Sequence, residues 1–118
     1  MALQSFKDLT VWQKAEDLSL NVYREFATCK DYGFKDQIQR ASISIINNIA
    51  EGYGRRSDKA LFNFLTIARG SAAEVESMVI LALQLKYIDS PAQKSLLAQI
   101  EDVAKLLTAF RNKISAGG

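Results

Sequence analysis

Apolar residues recur along the chain at intervals of three and four, the spacing that collects side chains on one face of an α-helix. In the first stretch they are Leu9, Trp12, Ala15, Leu18, Val22 and Phe26, with Asp8 or Thr10 placed to cap the opening turn and Thr10 and Gln13 at capping-box spacing. Trp12 and Tyr23 also lie at helical spacing, which assigns them to the core rather than to stacking platforms. Cys29-Lys30-Asp31-Tyr32-Gly33 breaks the pattern, and Asp36 or the residues just before it open a second helix. At 100° per residue, Phe34, Ile38, Ala41, Ile45 and Ile49 form one stripe of that helix and Ile43, Ile46 and Ala50 a flanking one. Gln37, Arg40, Ser44, Asn47, Asn48 and Glu51 lie opposite.

Gly52-Tyr53-Gly54-Arg55-Arg56-Ser57 is the clearest interruption, with glycines to end one helix and Ser57 or Asp58 to cap the next. The third helix carries a core stripe of Leu61, Phe64, Leu65, Ala68, Ala72, Val75, Val79 and Ala82. Its second half adds Met78, Ile80, Leu81, Leu83 and Leu85 and is apolar almost all round, which demands burial on more than one side. Asp89-Ser90-Pro91 starts the fourth helix, with Ser90 as cap and Pro91 in the first turn, where its missing amide hydrogen costs nothing. Leu96, Leu97, Ile100, Val103, Ala104, Leu107, Phe110 and Ile114 line its face, and Ala116-Gly117-Gly118 frays. The pattern therefore predicts one all-α domain over 1–118, an up-and-down antiparallel four-helix bundle with helices at about 9–28, 35–52, 58–87 and 91–115. The apolar surface left over on helices two and three, at Ile43, Ile46, Met78, Ile80, Leu81 and Leu85, predicts a homo-oligomer.

Composition narrows the chemistry. The 118 residues can bury one core, and a single proline with six glycines is too few for the turns of an all-β chain. No histidine is present, so the commonest general base and the commonest neutral metal ligand are both missing, and Cys29 stands alone without an imidazole to activate it. A di-iron bundle site would need Glu-x-x-His spacing, and Gly52-Tyr53-Gly54 has neither the spacing nor the lysine of a phosphate-binding loop. We therefore expect no catalytic residue, no metal, no cofactor and no small-molecule substrate. Met1 to Asp8 lacks the basic start and apolar run of a secretory signal, and the longest purely apolar run, Met78 to Leu83, is far too short to span a membrane. The expected location is the cytoplasm.

Two polar constellations remain. Arg55, Arg56 and Lys59 cluster at a helix–helix turn, where guanidinium groups and a following helix start suit phosphate; a solvated charged loop is the plainer alternative. Arg40, Asn48, Glu51, Arg69 and Glu74 could form a polar network between helices or subunits, with Gly70 marking a close packing point, or could be separate solvated residues. A catalytic Glu51–Glu74 pair is a further reading, and it requires both carboxylates in one pocket.

Several stretches resemble a known family. Leu9-Thr10-Val11-Trp12-Gln13-Lys14-Ala15, then Gln37-Ile38-Gln39-Arg40-Ala41, then Ser44-Ile45-Ile46-Asn47-Asn48-Ile49-Ala50-Glu51-Gly52-Tyr53-Gly54-Arg55, and Phe64-Leu65-Thr66-Ile67-Ala68-Arg69-Gly70-Ser71-Ala72-Ala73-Glu74 are similar, in this order, to segments of the 23S ribosomal RNA intervening-sequence proteins. Ile46 stands where many members carry proline, which makes any kink in helix two milder here. The resemblance implies a four-helix bundle assembled as a ring, a pentamer. A related branch, the accessory variability proteins of diversity-generating retroelements, implies nucleic acid as a partner. Structured RNA bound by a ring that repeats Arg55, Arg56 and Lys59 is thus the leading expectation, and a structural or protein-partner adaptor is the alternative.

Overall fold

The computed structural model describes residues 5–117. Met1 to Gln4, read above as no secretory signal, and Gly118 lie outside the described residues. Within that range the fold is all helix: a short 3₁₀ turn over Phe6–Asp8 and four α-helices, α1 (Thr10–Glu25), α2 (Tyr32–Gly54), α3 (Asp58–Gln84) and α4 (Ser90–Gly117). Each helix packs against its neighbours in sequence, and α4 closes the set against α1, in a body of 45 × 23 × 20 Å. Among the described residues no helix is long and apolar enough to cross a membrane.

The core follows the apolar stripes. Ala15, Leu18, Val22 and Phe26 from the first stripe, Ile38, Ile45 and Ile49 from α2, Leu65, Ala68, Ala72, Val75 and Val79 from α3, and Leu96, Ile100, Val103 and Leu107 from α4 are buried together. Removing such side chains from water is the main stabilising term for a bundle of this size.

Helix ends differ from expectation at several places. Neither Asp8 nor Thr10 caps α1: Leu9 occupies that place without a side-chain bond, and Gln13 instead donates Nε2–H to Lys7 O at 2.8 Å. α2 begins before Asp36 because the Asp31 carboxylate accepts from Phe34 N at 3.1 Å. α3 stops short of Tyr87 because Lys86 takes a left-handed φ of 64°, and Tyr87 N then donates to Ala82 O at 2.9 Å. At α4 the cap is Asp89, whose Oδ1 accepts from Ala92 N at 2.9 Å, so Ser90 is already helical. The last helix continues to Gly117 rather than fraying at Ala116.

Two glycines play opposite parts. A Cβ built on Gly52 would lie 2.7 Å from Phe64 Cβ and 3.2 Å from Leu61 Cδ1, so α2 and α3 meet there at a distance only glycine allows. Gly70 has nothing within 4 Å of such a Cβ and is exposed, so it is not the close packing point within the protomer that its mid-helix position suggested. Gly52→Ala should lower stability by about 1–3 kcal/mol, because Phe64 Cβ has no flexible way out. Gly70→Ala should raise it by about 1 kcal/mol through helix propensity. Urea unfolding measures both, and effects of equal sign would contradict the packing described.

One hydrogen bond ties the loops at the far end. Tyr87 Oη donates to Asp31 Oδ2 at 2.6 Å, beside Phe34, whose ring meets Tyr87 edge-on at 5.2 Å. That bond, joined by one from the Phe34 amide, holds the Asp31 carboxyl below its ordinary 3.8; the same Tyr87–Asp31 bond, with some burial, holds the Tyr87 phenol above its ordinary 10.0. The Asp31 contribution is therefore present above pH 3.8 and lost as pH falls through the lowered value, whereas that of Tyr87 is present below pH 10.0 and lost as pH rises through the raised value. Tyr87→Phe should lower the thermal midpoint between these limits and remove the alkaline loss, as melts across pH would show; an unchanged alkaline limb would contradict the assignment.

Candidate nucleic-acid interface

Gly54 ends α2, and the chain reaches α3 in three residues. Arg55 remains in helical conformation at φ −72° and ψ −18°, Arg56 is left-handed at φ 54°, and Ser57 is extended and accepts from Ala60 N at 3.2 Å. The turn exposes Arg55, Arg56 and Lys59 together at one end of the bundle. They are not equivalent. Arg55 Nη2 lies 2.9 Å from Glu51 Oε1, and its guanidinium sits 5.4 Å from the centre of the Phe64 ring, which orients it. Arg56 and Lys59 make no ion pair among the described residues. Glu51 and Asp58 offset part of the positive charge, leaving the turn basic by one unit (three cations less two carboxylates).

The expected polar network is not assembled within the protomer. Glu51 serves Arg55 on its own helix; Arg69 reaches towards α4, with Nε 3.4 Å from Thr108 Oγ1; Glu74 Oε2 accepts from Gln37 Nε2 at 3.3 Å; and Arg40 Nε pairs with Asp36 Oδ2 at 2.8 Å. Helical rotation explains the separation: Arg69 and Glu74 are five residues apart, hence about 140° around α3, and face different neighbours. Glu74 is also absent from the cleft that Glu51 lines with Phe6, Asn47, Asn48, Ala50 and Phe64, so the two carboxylates do not share a pocket there.

Serines supply the polar contacts between helices instead. Ser44 Oγ and Ser71 Oγ are 2.9 Å apart across α2 and α3, and Asn48 Nδ2 donates to Ser44 O at 2.7 Å and to Ser44 Oγ at 3.0 Å. On the α1 side, Ser42 Oγ donates to Gln39 O at 2.8 Å, so the Ser19 hydroxyl, 3.1 Å away and buried with it, must donate to Ser42. The signal for this second pair was the serine that interrupts the apolar arc between Ala41 and Ile43.

The surface apolar residues divide. Ile80, Leu81 and Leu85 are exposed and Ile67 joins them at 51 %, whereas Ile43 and Ile46 are half-buried. Met78 does not belong to an outer face: at 8 % exposure it sits in the protomer's own core, because Val75, Met78, Val79 and Ala82 keep the spacing of one stripe. Tyr23 also departs from expectation; it is 40 % exposed, while Trp12 is half-buried with its ring 5.2 Å from that of Phe6. Among the described residues no group of three or more Cys, Asp or Glu side chains is placed to hold a metal ion.

No curated protein matches the sequence. Among solved structures, the chain is similar to a protein of unknown function from the S23 ribosomal protein family of Bacteroides thetaiotaomicron VPI-5482, with 25 % identity, a TM-score of 0.81, and coverage of 86 % of this chain and 98 % of that one. The four helices, the Asn-Ile-Ala-Glu-Gly segment that ends in the Gly52 contact, and a family match over residues 7–109 agree: the chain belongs to the 23S rRNA-intervening sequence protein family.

Proposed function

We propose that this protein is a non-enzymatic, self-associating helical module of the cytoplasm that holds structured RNA on Arg55, Arg56 and Lys59. The observation that carries this reading is the turn itself. An arginine stands in a left-handed conformation that suits glycine better, at φ 54°, and neither it nor Lys59 is drawn into an ion pair among the described residues. Guanidinium groups match phosphate oxygens bidentately, and the start of α3 adds the favourable end of a helix dipole. Self-association supplies the rest: Ile67, Ile80 and Leu81 on α3, with Leu85 at its C-terminal cap, leave apolar surface for a second copy, and a ring of five copies repeats a weakly basic turn into a polyvalent one.

A second reading has its own observation. Between α3 and α4 runs an open groove of about 850 Å³ whose lining includes Ile80, Leu97, Ala98 and Ala104, with Lys94 and Glu101 also contributing. An amphipathic helix of a protein partner fits such a groove, and in that case the protein is an adaptor.

Arg56→Gly separates the two. Glycine fits the left-handed position, so stability should hold or rise, while retention of structured RNA falls and its salt dependence loses about one phosphate's share. Unchanged retention, or no retention by the wild type at low salt, would contradict the RNA reading and leave the groove as the working surface.

A further inference from the structure

A second cleft lies on the outer side of α1 and α2, away from the arginine turn. It measures about 380 Å³ and is lined by Tyr23, Arg40, Ile43, Ser44, Asn47 and Asn48. Tyr23 offers an exposed aromatic ring on α1, and Ile43 a half-buried apolar side chain on α2. Asn48 is held in place: Nδ2 donates to Ser44 O and Ser44 Oγ, and that hydroxyl is itself tied to Ser71, which leaves Asn48 Oδ1 as an acceptor without a donor in the described residues. Asn47 is exposed in mid-helix and makes no hydrogen bond in the described residues, although asparagine is a poor helix former whose amide ordinarily bonds locally. Arg40 has an 80 % exposed side chain and, among the described residues, pairs with Asp36 alone, a surface pair for which a phosphate competes.

We propose that this cleft takes one unpaired nucleobase of a single-stranded RNA. The base stacks on Tyr23, since every base presents a π-face. The Asn47 carboxamide offers a donor and an acceptor to its edge, as asparagine does for adenine, and Asn48 Oδ1 adds an acceptor. Arg40 meets the adjoining phosphate.

The position fits a strand that also touches the turn. Arg40 lies on α2 and Arg55 caps its end fifteen residues later, still in helical conformation, hence about 22 Å further along the axis. Asn47 and Asn48 also line the neighbouring cleft with Phe6, Glu51 and Phe64, and Phe64 is the ring beneath Arg55. Amide and aromatic groups thus run from Tyr23 towards the arginines, with the Glu51 carboxylate beside them engaged by Arg55. This subsite rests on the RNA reading above and adds to it a preference for unpaired over paired RNA.

Fluorescence anisotropy with a labelled 12-nucleotide single strand, its duplex and labelled adenosine monophosphate tests the subsite in the full chain. Tyr23→Ala should weaken single-strand binding about tenfold while leaving the duplex unchanged, and Tyr23→Phe should restore it, because stacking needs the ring and not the hydroxyl. Circular dichroism checks that both variants fold. If Tyr23→Ala binds the single strand as tightly as wild type while Arg56→Gly weakens both RNAs, the subsite is overturned and the RNA reading stands. Absence of wild-type binding to either RNA overturns both. Tyr23-dependent binding of the mononucleotide without binding of the strand assigns the cleft to free nucleotides and overturns the strand track.

Discussion

The approach of α2 to α3 at Gly52 is the contact on which the rest of the working surface depends. With no Cβ at Gly52, the helix backbone comes down onto Phe64 and Leu61, and the chain can turn back within three residues. A wider separation would lengthen the turn and disperse Arg55, Arg56 and Lys59. Phe64 links the two functions, because it fills the space beside Gly52 with its Cβ and supports the Arg55 guanidinium with its ring. Fold and charge display are therefore one constraint at this end of the bundle.

Further along the same pair of helices, serines replace the charged network that the residue types suggested. The Ser44–Ser71 contact and the buried Ser19–Ser42 contact join α2 to both of its neighbours through neutral hydroxyls. A neutral hydrogen bond avoids most of the desolvation that a buried ion pair would incur, and it still distinguishes one register from another, since a slipped helix would leave hydroxyls unpaired. The charges that remain, at Arg40, Glu51, Arg55 and Glu74, stay at the surface in side-chain pairs that water and salt weaken.

Helix number, helix faces and the glycine–arginine turn were legible in the sequence, because three- and four-residue periodicity and strong breakers survive any packing arrangement. What was not legible depended on neighbours. Arg69 and Glu74 look adjacent in the chain, and only the rotation of α3 sends them to different helices. Met78 reads as surplus beside Ile80 and Leu81 until packing buries it in the protomer's own core. Tyr23 reads as core from its spacing but falls on the rim of the first stripe, where α2 leaves it uncovered. Gly52 reads as a helix end and mid-helix Gly70 as the close contact; only the place of Phe64 across from Gly52 reverses that order. Helix starts were misplaced where two or three capping residues stood together, as at Asp89-Ser90, because either side chain can satisfy a first-turn amide.

The central claim is that exposed apolar residues on α3 bring copies together and that the repeated turn then binds RNA. Sedimentation velocity of the wild-type chain, alone and with total RNA at low and high salt, addresses both halves at once. The account predicts a species heavier than the 13.1 kDa monomer that co-sediments with RNA at low salt and releases it as salt rises. A 13.1 kDa monomer at micromolar concentration that never moves with RNA would contradict it.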